Sequence, residues 1–77
     1  MKDTLLKIKQ AISEQTGAPE SQIKPEAFFM EDLNIDEMEL AEVISKLEDW
    51  LGAELKTPLP EIKSVGDLLH AINDVVE

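Results

Sequence analysis

The chain has no cysteine, no tyrosine and no arginine, and its one histidine is His70. Without cysteine, neither a disulfide nor a thiolate metal site can support the fold. His70 lacks the second soft ligand that a transition-metal site needs. Nucleophile–base pairs and anion clamps are hard to assemble from what remains, so the sequence points to a protein that is not an enzyme. No apolar run approaches the roughly 20 residues of a membrane span. Met1-Lys2-Asp3-Thr4 leads directly into an amphipathic pattern rather than a signal peptide, so a cytoplasmic protein without membrane insertion is expected. Glycine is scarce, and two of the three, Gly17 and Gly52, stand where helical patterns stop.

What the chain has in abundance is acid. Seventeen Asp and Glu oppose seven lysines, for a net charge of −10. Between Glu31 and Glu54 nine acids face one base, Lys46. Such a field repels nucleic acid and anionic lipid and draws basic protein surfaces, speeding encounter more than deepening affinity. The plainer alternative is a solvated helix face.

With 77 residues the expectation is one domain spanning 1–77, near the lower size limit for a fold without staples, and monomeric. Leu5, Ile8 and Ile12, with Leu6 and Ala11, recur at helical spacing and predict a helix near 3–15. Residues 18–35 read as a long connection interrupted by Pro19 and Pro25 and pinned to the core by Ile23, Phe28, Phe29 and Leu33. Phe28 and Phe29 are adjacent, so only one of them is expected to point fully inward. The second helix begins at Asp36, an N-cap with Glu39 three residues on, and ends at Gly52. Its stripe is Leu40, Ile44, Leu47 and Leu51, widened by Ala41 and Val43. Trp50 near its end reads as a partly buried packing residue. Residues 56–63 form a linker with two prolines and room for one helical turn around Glu61-Ile62. Ser64, with Asp67 at the third position, then caps a last helix with Val65, Leu68, Leu69, Ile72 and Val75 or Val76 on its apolar face and His70 among them. The fold class is all-α, a small bundle of three principal helices with a candidate short fourth between the last two.

One decapeptide carries more than the rest: Glu31-Asp32-Leu33-Asn34-Ile35-Asp36-Glu37-Met38-Glu39-Leu40. Together with the helix it opens, it resembles the acyl carrier protein family, in which an acidic-Asp-Leu run leads into Asp-Ser-Leu or Asp-Ser-Met at the start of an acidic helix. Asp36 to Leu51 matches that helix without a gap, with Glu42-Val43 at the family's Glu-Leu and Leu47-Glu48-Asp49 at its Leu-Glu-Glu. Residues 9–17, ending Thr16-Gly17, fit the end of the family's first helix. Phe28-Phe29-Met30-Glu31-Asp32-Leu33 fits its loop, and Ser64-Val65-Gly66-Asp67-Leu68-Leu69 fits the start of its last helix. The resemblance implies an acyl-carrier-protein-like bundle docking on enzymes of fatty-acid or polyketide-type synthesis. It also implies 4′-phosphopantetheine on a serine. The chain departs from that pattern twice. Glu37 stands where the serine should be, and Thr57-Pro58-Leu59-Pro60 stands where the family has a third short helix.

Attachment of the arm needs a hydroxyl oxygen to attack the pyrophosphate of coenzyme A, and Glu37 offers none. No cofactor is therefore expected on the chain as written. Ser13, Ser21, Ser45 and Ser64 do not follow the Asp-x-Leu/Met context, and Ser64 is better explained as a helix cap. Glu37 has two readings: an acid suited to a helix start, or a negative charge kept where the phosphodiester would be. The alternative function is an acyl carrier whose attachment serine has been replaced by Glu37. Asp36, Glu37, Met38, Glu39, Glu42, Glu48 and Asp49 are the candidate partner-binding residues, facing basic protein surfaces. Asp32-x-Asn34-x-Asp36 opens like a calcium loop, but Glu37 occupies the position that needs Gly and Val43 the one that needs Glu. No specific metal site is expected, only loose attraction of divalent cations to the acidic cluster.

Overall fold

The computed structural model describes residues 4–76. Three helices, α1 (Thr4–Thr16), α2 (Glu37–Leu51) and α3 (Val65–Val76), are joined by connections that each hold one 3-10 turn, Glu20–Gln22 and Leu59–Glu61. The expected three-helix bundle is what forms, and its short fourth element is the second of these turns. The predicted start of the first helix at Asp3 lies outside the described residues.

α1 buries Ile8, Ala11 and Ile12 together with Thr4. Gly17 ends it in the left-handed region at φ 80°, with its N–H donating to the Ser13 carbonyl at 2.8 Å. Leu6 does not join the apolar face; it is 48% exposed. It lies two residues from Ile8, roughly 200° around the helix, so the Ile8–Ile12 stripe turns it outward.

The connection between α1 and α2 is part of the core. Ile23, Ala27, Phe29, Leu33 and Ile35 are all buried there. Phe29 points inward, whereas Phe28, expected as an anchor, is 46% exposed. The backbone explains how so long a segment stays fixed. Phe29 N–H donates to the Lys63 carbonyl at 2.9 Å, and Phe28 forms an isolated antiparallel bridge with Ser64. Val65 and Gly66 donate in turn to the carbonyls of Ala27 (3.0 Å) and Pro25 (2.8 Å). The first N–H groups of a helix have no partner within it, and here the connection supplies them. A Cβ on Gly66 would stand 2.9 Å from the Pro25 oxygen, so this seam requires glycine.

α2 starts where expected. The Asp36 carboxylate accepts from Glu39 N–H at 2.8 Å; the reciprocal bond from Asp36 N–H to the Glu39 side chain is not made among the described residues. Leu40, Val43, Ile44 and Leu47 are buried, Leu51 is half-buried and Ala41 is exposed. Ala41 falls just outside the arc spanned by Leu40, Ile44 and Leu47. Gly52 closes the helix at φ 71°. At α3 the capping box is complete: Asp67 N–H donates to Ser64 Oγ at 3.1 Å, and the Asp67 carboxylate accepts from Ser64 N–H at 3.2 Å. Val65, Leu68, Ala71 and Ile72 face inward. His70, two residues from both Leu68 and Ile72, is exposed and not on that face. α1 packs against both α2 and α3. The start of α2 is thereby left facing the two connections.

Candidate functional site

Glu37 is the first residue of α2 and is exposed. Asp36 caps the helix just before it, so Glu37 sits at the positive end of the helix dipole, where a carboxylate is favoured. Beside it opens a cleft of about 480 Å³. One wall is Phe28, Phe29, Met30 and Glu31 from the first connection. A second is Ile35, Asp36, Glu37 and Leu40 from the start of α2, and a third is Leu59, Pro60, Ile62 and Lys63 from the second connection. The interior is apolar and the charges stand at its lip. The proline-rich segment is not an empty spacer, since Pro58 caps the 3-10 turn that brings Leu59 and Pro60 to the cleft.

The exposed face of α2 repeats at helical spacing as Glu37, Met38, Ala41, Glu42, Ser45, Lys46, Asp49 and Trp50. Met38 is 77% exposed on this face and does not line the cleft. The seven candidate docking residues are not equivalent. Glu37, Met38 and Asp49 are exposed and Glu39 is half-buried. Asp36 is committed to capping. Glu42 accepts a hydrogen bond from the Gln15 side chain of α1. Glu48, half-buried, accepts from Leu55 N–H at 2.9 Å and so ties down the chain beyond Gly52.

Reading the sequence missed that task of Glu48, and also that of Asp32, whose carboxylate accepts from Phe28 N–H at 2.8 Å. It also missed Leu59, Pro60 and Lys63 as walls of the cleft, since no local pattern reveals which distant segment packs there. Trp50 is 40% exposed, with the Lys7 ammonium 5.7 Å from its ring centroid, which places it as packing between α2 and α1. Among the described residues no group of three or more His, Cys, Asp or Glu is placed to hold a metal ion. Among them, too, no helix is long and apolar enough to cross a membrane.

The side chain at the first position of α2, beside the cleft, is a carboxylate, which offers no hydroxyl for a phosphodiester.

Comparison with known proteins finds relatives along almost the whole chain. The family described as phosphopantetheine attachment site matches residues 6–72. An acyl carrier protein of Saccharopolyspora erythraea is 37% identical over 76 residues, covering 97% of this chain and 80% of that protein. An acyl carrier protein of Rubrobacter xylanophilus is 36% identical over 75 residues, covering 97% of this chain and 90% of that protein.

Proposed function

This chain belongs to the acyl carrier protein family, the family of the phosphopantetheine attachment site, and on that premise we propose that it is a non-enzymatic docking module that has lost the site of attachment. It acts as one domain, binding basic surfaces of partner proteins, synthase enzymes of fatty-acid or polyketide type among them, through the exposed face of α2. The observation that carries the reading is Glu37, an exposed carboxylate at the first position of α2. Attack by a carboxylate on the phosphorus of coenzyme A would give an acyl phosphate, which water hydrolyses, rather than a durable phosphodiester. The charge of Glu37 meanwhile remains at the helix start, available to partners that read charge.

Intact mass after incubation with coenzyme A and a promiscuous phosphopantetheinyl transferase tests the first half. The chain gains no mass, and Glu37→Ser gains one arm, because Asp36 and Met38 already flank that position. An adduct on the unaltered chain overturns the reading and directs attention to Ser13, Ser21, Ser45 or Ser64.

Docking is tested separately. Glu48 is unsuited to charge reversal because it holds Leu55. Glu42→Lys with Asp49→Lys lies two helical turns apart on one exposed face; it gives up only the exposed side-chain bond from Gln15, and helix content is compared alongside. This variant associates more slowly with a synthase enzyme that docks acyl carrier proteins, with a flatter salt dependence. Binding indifferent to the reversal removes the acidic helix from the interface. A second reading, an acyl carrier whose serine has been replaced by Glu37, is favoured by the cleft beside that position. It predicts that the Glu37→Ser protein, once loaded, serves as a substrate for such enzymes.

A further inference from the structure

Two features of the cleft are not explained by the loss of attachment. Its lip carries Glu31, Asp36 and Glu37 against one base, Lys63. In its wall Phe28 and Met30 stay 46% and 67% exposed. Three carboxylates around an apolar hollow repel an anionic amphiphile such as a fatty acid and attract an apolar group bearing positive charge. The volume, about 480 Å³, exceeds what one side chain fills and falls within the range of ligand sites. Met30 in its wall is the adaptable kind of side chain that accommodates partners of varied shape. We propose that the cleft receives two apolar side chains, one helical turn apart, from a basic amphipathic helix of the docking partner, while lysines or arginines beside them pair with Glu31 and Glu37. This inference rests on the docking reading above and goes beyond it by fixing the occupant of the cleft. With no arm attached, the hollow beneath Glu37 becomes part of the protein interface.

The test uses three synthetic helical peptides of about 20 residues, beyond the length at which isolated helices are marginal. One carries leucines at i, i+4 and i+7 flanked by lysines. The second replaces those leucines by alanine, and the third replaces the lysines by glutamate. Amide shifts are followed by NMR on the intact chain and affinities are taken from the same titrations. The leucine–lysine peptide shifts Phe29, Leu40 and Ile62 and binds about tenfold or more tighter than the alanine–lysine peptide, as burying leucine side chains implies. Met30→Ser, an exposed and uncharged substitution that spares the core, weakens the leucine–lysine peptide several-fold and leaves the alanine–lysine peptide unchanged. Equal binding of the two lysine peptides, with shifts confined to the outer face of α2, overturns the cleft proposal while leaving acidic docking intact. Binding of the glutamate peptide as tight as the lysine peptide overturns the charge argument, and no binding by any peptide removes both. Dodecanoate shifting the same cleft amides at lower concentration than the peptide makes the hollow a lipid site and overturns the proposal as well.

Discussion

Thr4 buries its side chain completely at the start of α1, and its hydroxyl has no hydrogen-bond partner among the described residues. A buried hydroxyl without a partner keeps its desolvation cost with nothing to offset it. Valine has nearly the same shape, so Thr4→Val raises unfolding free energy by about 1 kcal/mol in urea titration. A loss of stability would reveal a partner for the hydroxyl. Asp36 was legible at this scale as the N-cap of α2, because its carboxylate meets a backbone N–H that the helix itself leaves unpaired. The bond from Glu48 to Leu55 was not legible. It depends on how the chain turns after Gly52, and glycine signals a stop without saying where the chain goes next.

Elements were more readable than their margins. Caps and periodicity marked the end of α1, both ends of α2 and the start of α3 to within a residue, because Asp36, Ser64, Gly17 and Gly52 each satisfy a backbone requirement that few other residues meet. Leu6, Ala41 and His70 were misassigned to buried faces, since an apolar stripe has an edge that spacing alone does not fix. Leu47 lies at the centre of the α2 stripe and is fully buried, so Leu47→Ala costs about 2–5 kcal/mol in a denaturant titration. Ser64→Ala removes one arm of the capping box at α3 and costs about 1 kcal/mol. A Ser64→Ala protein as stable as the parent would mean that Asp67, which also accepts from Lys63 N–H, holds the seam alone.

At the scale of the molecule, the chain carries a net charge of −10, and its described residues extend over 28 × 24 × 20 Å. Most of that charge lies on and around α2, so self-repulsion opposes the folded state. The thermal midpoint therefore rises with sodium chloride at neutral pH, and rises further at equal ionic strength with Mg²⁺. A midpoint indifferent to salt would mean that the acids are too far apart to repel. The seam between the first connection and α3 has a kinetic consequence. Its bonds join Pro25, Ala27 and Phe29 to Lys63, Val65 and Gly66, partners from opposite halves of the chain. Closing so large a loop has its entropy cost before any bond returns it, so the seam forms after α1 and α2 have paired. Interactions absent from the folding transition state govern how fast the native state is lost rather than how fast it is gained. Gly66→Ala, which drives a methyl against the Pro25 carbonyl, accordingly steepens the rate of unfolding in stopped-flow measurements while the refolding rate stays nearly unchanged. The amides of Phe29, Val65 and Gly66 then exchange with deuterium together, as one opening event that frees the floor of the cleft and the start of α3 at the same moment.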